Sequence, residues 1–371
     1  MMQQYDDAKE ACGDALLFFR MGDFYELFHD DAKVAAKAVG LTLTSRDKNT
    51  ANPVPMAGFP HHQLEGYLGK LIKMGHRVAI CEQVEDPKKA KGLVKREVTR
   101  VVTPGTLTDD GLLDPKENNF LAAVCASAPR GKSKQDEELV GMAWVELSTG
   151  QFQAASFPRS KLVDELLRVA PAECLLPENS ELLPEYIANE TLLTKRPDFA
   201  FSLDTCETKL SQHFGTKGLQ GFGFEATDTP AIQAAGAVLD YLLETQKTSL
   251  DHIEAIVPYR SGYCLEIDEA TRRSLELTKT LRDGRRDASL LGIMDRTVTP
   301  MGSRLLANWL ANPLTDAGAI RVRLDAVKEL VGELTLCADL RDELKQIYDM
   351  ERLLARVTTG RASPRDLSCI G

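Results

Sequence analysis

The chain has 371 residues, 43% of them hydrophobic, which is enough apolar surface for two or three cored domains. Lys and Arg number 45 against 55 Asp and Glu, a net charge of −10, so the whole molecule repels polyanions and any nucleic-acid contact has to be a local patch. Eight cysteines without a C-x-x-C pair argue against a zinc site and a secreted disulfide framework, and no apolar run approaches the roughly 18 residues of a membrane span; the setting implied is reducing and cytoplasmic, with no membrane partner.

In chain order, "ALLFFR" (15–20) has the length and composition of a strand. "RMGDFYELF" (20–28) follows. If it is extended, Phe24 and Glu26 share one face and Tyr25 points to the other, so one side carries an aromatic ring beside a carboxylate. Taken alone, Phe24 reads as a core residue, because phenylalanine is usually buried. "DDAKVAAKAVG" (30–40) is a helix ending at Gly40 in a C-cap position. "HQLEGYLGKLIKMG" (62–75) sets Leu64, Tyr67, Leu68, Leu71 and Ile72 on one helical stripe before Gly75, and "RVAICEQ" returns to strand. The first unit is therefore α/β. "KKAKGLVKREVTR" (88–100) concentrates Lys88, Lys89, Lys91, Lys95, Arg96 and Arg100 against Glu97, which by itself describes a solvated loop and strand edge.

The turn-rich segment 103–119 reads as a linker, with a boundary near residue 110. Beyond it, "FLAAVCA", "VGMAWVELSTG" and "QFQAASF" predict three strands, the last two joined by a tight turn at Ser148–Gly150. Helices are predicted near 160–170 and 230–247. From about 265 the pattern is helical alone, in "EATRRSLELTKTLRD", "GSRLLANWL", "AIRVRLDAVKELV" and "RDELKQIYDMERLLARV", and the Ser-Pro of "GRASPRDLSCIG" can start one more helix as the chain stops.

Three motifs are decoys. "APRGKSK" (128–134) lacks the first glycine of a phosphate-binding loop and runs towards a strand instead of a helix. "HHQLE" lacks the H-E-x-x-H order that sets two histidines around zinc, so His61 and His62 read as a helix start. Glu146 has no acidic partner at a spacing that would hold a nuclease metal.

"MMQQY", "RMGDFYELF", "LTLTSRD" (41–47), "PVPMAGFPHHQLEGYLGKL" and "RVAICEQVEDP" together resemble the opening of the MutS family of bacterial DNA mismatch repair proteins. "REVTRVVTPGT" resembles the end of that family's mismatch-recognition domain and "WVELSTGQF" a strand pair of its connector. "LELTKTLRDGRRDASLLGIMDRTVTPMGSRLLANWLANPL" (275–314) and "MERLLARVTTGRASPRDL" (350–367) resemble its helical core. The resemblance implies a multidomain chain: an α/β mismatch-recognition domain with a mixed sheet (1–110), an α/β RNase H-like connector (111–255) and a truncated all-α core (256–371). "FPHH" stands where the family more often has a Tyr-His pair.

The resemblance also reverses the reading of Phe24. It implies that Phe24 wedges into the base stack from the minor groove while Glu26 hydrogen-bonds the mispaired base, with Arg46, Lys95, Arg96 and Arg100 as candidate contacts to the DNA backbone. It implies double-stranded DNA with mismatches or small loops as the partner, a homodimer in the full-length family, and a MutL-type repair protein docking on the connector. ATP and Mg belong to a domain outside these residues; no catalytic residue, cofactor or metal is expected in this chain. The alternative is an interaction module of connector and core that relays signals with weak DNA binding of its own. A MutS-like branch acting in recombination is opposed by the intact Phe24 and Glu26.

Overall fold

A computed structural model describes residues 1–46, 53–85, 92–126, 138–260, 262 and 264–370. Lys88, Lys89 and Lys91 of the basic run, Asp47 and the Gly-Lys-Ser stretch lie outside the described residues. The chain divides into two compact units, Met1–Leu112 with Tyr241–Ser249, and Leu113–Asp240 with Leu250–Gly371.

In the first unit, helix α1 (Met2–Cys12) precedes β1 (Leu16–Met21), β2 (Phe24–Phe28), α2 (His29–Val39), β3 (Thr44–Arg46), β4 (Val54–Pro60), α3 (Leu64–Lys73), β5 (Val78–Gln83) and β6 (Arg96–Val102). The strands form one sheet in the order β3-β4-β2-β1-β5-β6. Only the β1–β5 pairing is parallel, so the sheet is mixed. α2 ends at Gly40 in the left-handed conformation (φ 74°), as the sequence predicts, because glycine adopts it without a Cβ clash. α3 buries Leu68, Leu71 and Ile72 from the predicted stripe.

The two faces of this sheet bury different sets. Phe18, Tyr25 and Phe59 pack on one, where Phe59 also stacks on Tyr67 with ring centroids 4.5 Å apart. The other is covered by α1, whose Tyr5, Ala8 and Cys12 lie over Leu17, Phe19, Phe28, Cys81 and Val98. Tyr5 meets the Phe28 ring edge-on at 4.9 Å. α1 carries little helical signal in the sequence, because its apolar stripe is three residues long, Tyr5, Ala8 and Cys12, and interrupted by acids.

The second unit opens with β7 (Phe120–Ala126), β8 (Leu139–Glu146), β9 (Gln151–Pro158), α4 (Leu162–Val169), β10 (Glu173–Pro177), β11 (Leu192–Arg196), α5 (Leu203–Phe214), α6 (Thr229–Gln246) and β12 (Val257–Pro258). Their sheet runs β11-β10-β7-β8-β9-β12, an antiparallel β7–β8–β9 meander flanked by parallel strands. Gly141 lets α6 approach β8: a Cβ there would stand 1.9 Å from the Pro230 carbonyl oxygen.

Seven helices follow among the described residues: α7 (Glu269–Ser274), α8 (Leu290–Met294), α9 (Pro300–Ala311), α10 (Ala317–Gly332), α11 (Leu334–Leu344), α12 (Met350–Thr358) and α13 (Pro364–Ser368). Two predicted helices differ. "EATRRSLELTKTLRD" is helical only as far as Ser274, after which Glu276 takes a positive φ of 46° and the chain turns. "RDELKQIYDMERLLARV" is broken between Leu344 and Met350, where the Asp349 side chain caps the Arg352 amide and starts α12.

The predicted linker is not a loose one. Thr103, Thr106, Leu107, Thr108 and Leu113 are buried, and Thr103 and Thr106 form a reciprocal capping box. Further on, Arg304 Nη1 donates to the Pro115 carbonyl at 2.9 Å, and Arg352 donates to the carbonyls of Asp114 (2.9 Å) and Glu117 (2.7 Å).

Candidate nucleic-acid interface

β1 and β2 are joined by two residues, Gly22 and Asp23, with Met21 opposite Phe24. Only Gly22 of the pair has a positive φ (59°), the glycine-first arrangement that matches the twist of a two-residue hairpin. Asp23 is tied down from outside: its carbonyl accepts the His61 amide at 2.8 Å and lies 3.1 Å from His61 Nδ1. Phe24 is therefore the first residue after a fixed turn, at the end of the strand. It is 48% exposed, whereas Tyr25 beside it is 1% exposed.

The alternation expected of an extended segment holds. Across the ladders Phe24 faces Met21 and Pro60, and Glu26 faces Phe19 and Gly58. This is the face that α1 covers, so Phe28 is buried, Glu26 is half-buried and Phe24 lies open in one row along the strand. On the opposite face, burial pushes the Tyr25 hydroxyl pKa up, and its hydrogen bond to Glu82 adds to the effect.

Glu26 has an unusual environment for a carboxylate. Its side chain is 22% exposed, and Oε2 is buried with no hydrogen-bond partner among the described residues. The nearest cation is Arg46, whose Nη1 stands 4.0 Å from Oε2 and donates to Met1 Sδ at 3.3 Å, with the guanidinium over the Phe28 ring. Burial raises the Glu26 pKa and Arg46 pulls against it, with burial dominant. An acceptor held in a cleft without a donor is a group prepared to accept a hydrogen bond, or, once protonated, to give one.

The other candidate cations differ from one another. Lys95 is exposed and pairs with Glu97 at 2.5 Å. Arg96 is a packing residue: its guanidinium lies over the Phe19 ring and donates to the carbonyls of Arg20 (2.6 Å) and Val94 (2.8 Å). Arg100 forms a two-pronged pair with Asp109, at 2.9 and 3.3 Å, with little exposure. Spacing alone could not separate the three. No cluster of His, Cys, Asp and Glu suited to a metal ion occurs among the described residues, and His61–Gln63 form a short 3-10 turn leading into α3. Glu146 is fully buried, where it accepts hydrogen bonds from the Asn119 amide and Ser148 Oγ. No helix among the described residues is long and apolar enough to cross a membrane.

Three family models match the chain in order: MutS domain I over residues 1–111, MutS domain II over 119–254 and MutS domain III over 270–371. Among curated relatives, the DNA mismatch repair protein MutS of Rhodopirellula baltica is 56% identical over 99% of this chain and 42% of its own length. Those of Syntrophomonas wolfei and Halothermothrix orenii are 45% and 43% identical, over 99% and 100% of this chain and 43% and 41% of theirs. The chain thus spans less than half the length of the relatives it matches. With three successive domain matches and relatives aligned across almost all of its residues, the chain belongs to the MutS family.

Proposed function

We propose that the first unit recognises mispaired or unpaired bases in double-stranded DNA as the opening step of mismatch repair, with Phe24 as the wedge and Glu26 as the hydrogen-bonding partner of the base. One observation carries the reading: a large aromatic ring stands open at the tip of an anchored hairpin, on the same face as a carboxylate with an unused, buried oxygen. Inserting a side chain between base pairs costs a few kcal/mol of unstacking, and a mismatch has already lost part of that stacking. Selectivity then comes from the DNA's deformability, and Glu26 selects among bases by accepting or, when protonated, donating.

The wider assignment is part of the same proposal. The chain supplies a recognition domain (1–110), an RNase H-like connector (111–255) and the first part of a helical core (256–371). ATP and Mg act in a domain beyond these residues, the full-length protein works as a homodimer in the cytoplasm at the nucleoid, and a MutL-type repair protein docks on the connector. Lys95 and Arg46 are the better-placed backbone contacts of the four cations.

Fluorescence anisotropy with a labelled duplex carrying one mismatch, against the matched duplex at the same salt, tests the reading. Preference for the mismatch that disappears in Phe24→Ala supports it. Equal affinity for both duplexes removes it and leaves an interaction module.

A further inference from the structure

The second unit holds a cavity of about 170 Å³ lined by Lys116, Arg168, Arg272, Lys279 and Arg286, with Trp144 and Phe120 in its wall. Glu117 is its single acidic lining residue among those described. Two of the five cations are matched by acids: Arg168 Nε donates to Glu165 (2.7 Å) and Arg286 Nη2 to Asp295 (2.7 Å). Lys116, Arg272 and Lys279 make no ion pair among the described residues, which leaves the cavity wall electropositive.

Of the lining cations, Arg168 and Arg272 are both half-buried. The Arg168 guanidinium is fixed over the Trp144 and Tyr259 rings at 5.1 and 4.2 Å and donates to Asn312 Oδ1 at 2.9 Å; its side chain is 10% exposed. Its Nη2 is buried without a hydrogen-bond partner among the described residues. Arg272 directs Nη1 and Nη2 at the Ala311 carbonyl, at 3.4 and 3.3 Å, and its Nε is also buried and unpartnered. Burial lowers the Arg272 pKa and the neighbouring Arg168 charge lowers it further, although Glu165 and Asp164 pull the other way. Those two carboxylates line the adjoining cavity, where Asp164 holds the Glu269 amide at 2.7 Å.

Two partly desolvated guanidiniums side by side, each with a spare N–H, are poorly placed unless an acceptor reaches both, and multivalent oxyanions are the acceptors that match guanidinium geometry. Gln153 is a further polar residue of the lining, and its amide oxygen accepts from Trp144 Nε1 at 3.0 Å. The volume is below the roughly 300 Å³ where drug-sized ligand pockets begin, which excludes a whole nucleotide and suits a group of phosphate or pyrophosphate size. We propose that this cavity is a binding site for a small multivalent oxyanion, held by Arg168 and Arg272 and screened by Lys116 and Lys279.

The test is calorimetric titration of the whole chain with inorganic pyrophosphate in a phosphate-free buffer, alongside thermal melts in pyrophosphate and in sodium chloride of matched ionic strength. The expected result is saturable one-to-one binding with a melting rise of a few degrees that chloride does not reproduce. Arg272→Met weakens that binding at least tenfold and Lys279→Met several-fold, while Lys161→Met, in the adjoining cavity, leaves it within twofold. Circular dichroism verifies the fold of each variant, and if Arg272→Met does not fold, Lys279→Met carries the comparison. Absence of saturable heat, an equal melting rise in chloride, or unchanged affinity in the folded Arg272→Met or Lys279→Met variant overturns the proposal.

Discussion

Glu26 Oε2 and Arg46 Nη1 stand 4.0 Å apart, too far for a hydrogen bond and near enough for their charges to be felt. Burial dominates, so the folded protein favours the protonated carboxyl relative to the unfolded chain. A raised folded-state pKa makes Glu26's contribution to stability fully present below the unfolded value of about 4.3 and lost as pH rises through the folded value. Glu26→Gln, which cannot ionise, should therefore raise the melting temperature of the first unit by about 1–3 °C near pH 8. The difference should close near pH 4. Calorimetric melts across this range check it, and a lower melting temperature for the variant at pH 8 would show that the Arg46 attraction outweighs burial.

Phe24→Ala separates a wedge from a core residue. A buried Phe→Ala change costs about 3–5 kcal/mol, whereas an exposed position away from special contacts usually stays within about 0.5 kcal/mol. With Phe24 48% exposed, urea denaturation should give a loss under about 1 kcal/mol. Phe28→Ala, four residues further along the chain on the same face and fully buried, should fall in the core range. Similar losses for the two would place Phe24 in the core.

How much of this was legible in the sequence depends on how local each cause is. The strand at 16–21, the Gly40 stop and the α3 stripe follow from short-range periodicity and backbone chemistry, and they appear where the residues predict them. The shared face of Phe24 and Glu26 is equally local. The half-burial of Glu26 is not, because its neighbours are distant in the chain: Phe19 and Gly58 across the ladders and Arg46 on β3. Arg96 and Arg100 read as two more cations in a basic run, and only tertiary packing shows one lying on Phe19 and the other held by Asp109. The breaks at Glu276 and Asp349 are not legible locally because flanking residues retain helical propensity, while the structure uses Asp349 as a cap and as an ion-pair partner 45 residues from Arg304.

That ion pair supports a third prediction. Arg304 is 4% exposed and donates to Asp349 at 2.6 and 2.8 Å, to Glu351 at 2.7 Å and to the Pro115 carbonyl. Burial works to raise the Asp349 pKa, and the hydrogen bonds and charge of Arg304 more than reverse it. Removing the arginine alone leaves a partly buried carboxylate with only the Arg352 amide and the Arg352 charge to offset it, at a cost of up to about 3–5 kcal/mol. Arg304→Met should lower stability by that order, and adding Asp349→Asn should restore part of the loss, a coupling that a double-mutant cycle reads directly. Both tryptophans, Trp144 and Trp309, belong to the second unit, so their fluorescence during urea denaturation follows it selectively. Strict additivity of the two substitutions would mean that the pair contributes nothing.

Lys95 projects into solvent beside Glu97, whereas Arg96 covers Phe19 and caps two carbonyls. If Lys95 contacts the DNA backbone, Lys95→Ala should weaken matched and mismatched duplex alike and reduce the slope of log affinity against log salt by about one unit, with little change in stability. Arg96→Ala should do the reverse: it removes apolar cover and two charge-assisted hydrogen bonds, so about 1–3 kcal/mol of stability is lost, and any loss of binding should track unfolding. Arg100→Ala belongs with Arg96, since its charge is already committed to Asp109. Anisotropy titrations at three or more salt concentrations, paired with melts of the same variants, decide between the roles. A reduced salt slope in Arg96→Ala at full stability would move that side chain from packing to the DNA surface, and an unchanged slope in Lys95→Ala would take Lys95 off it.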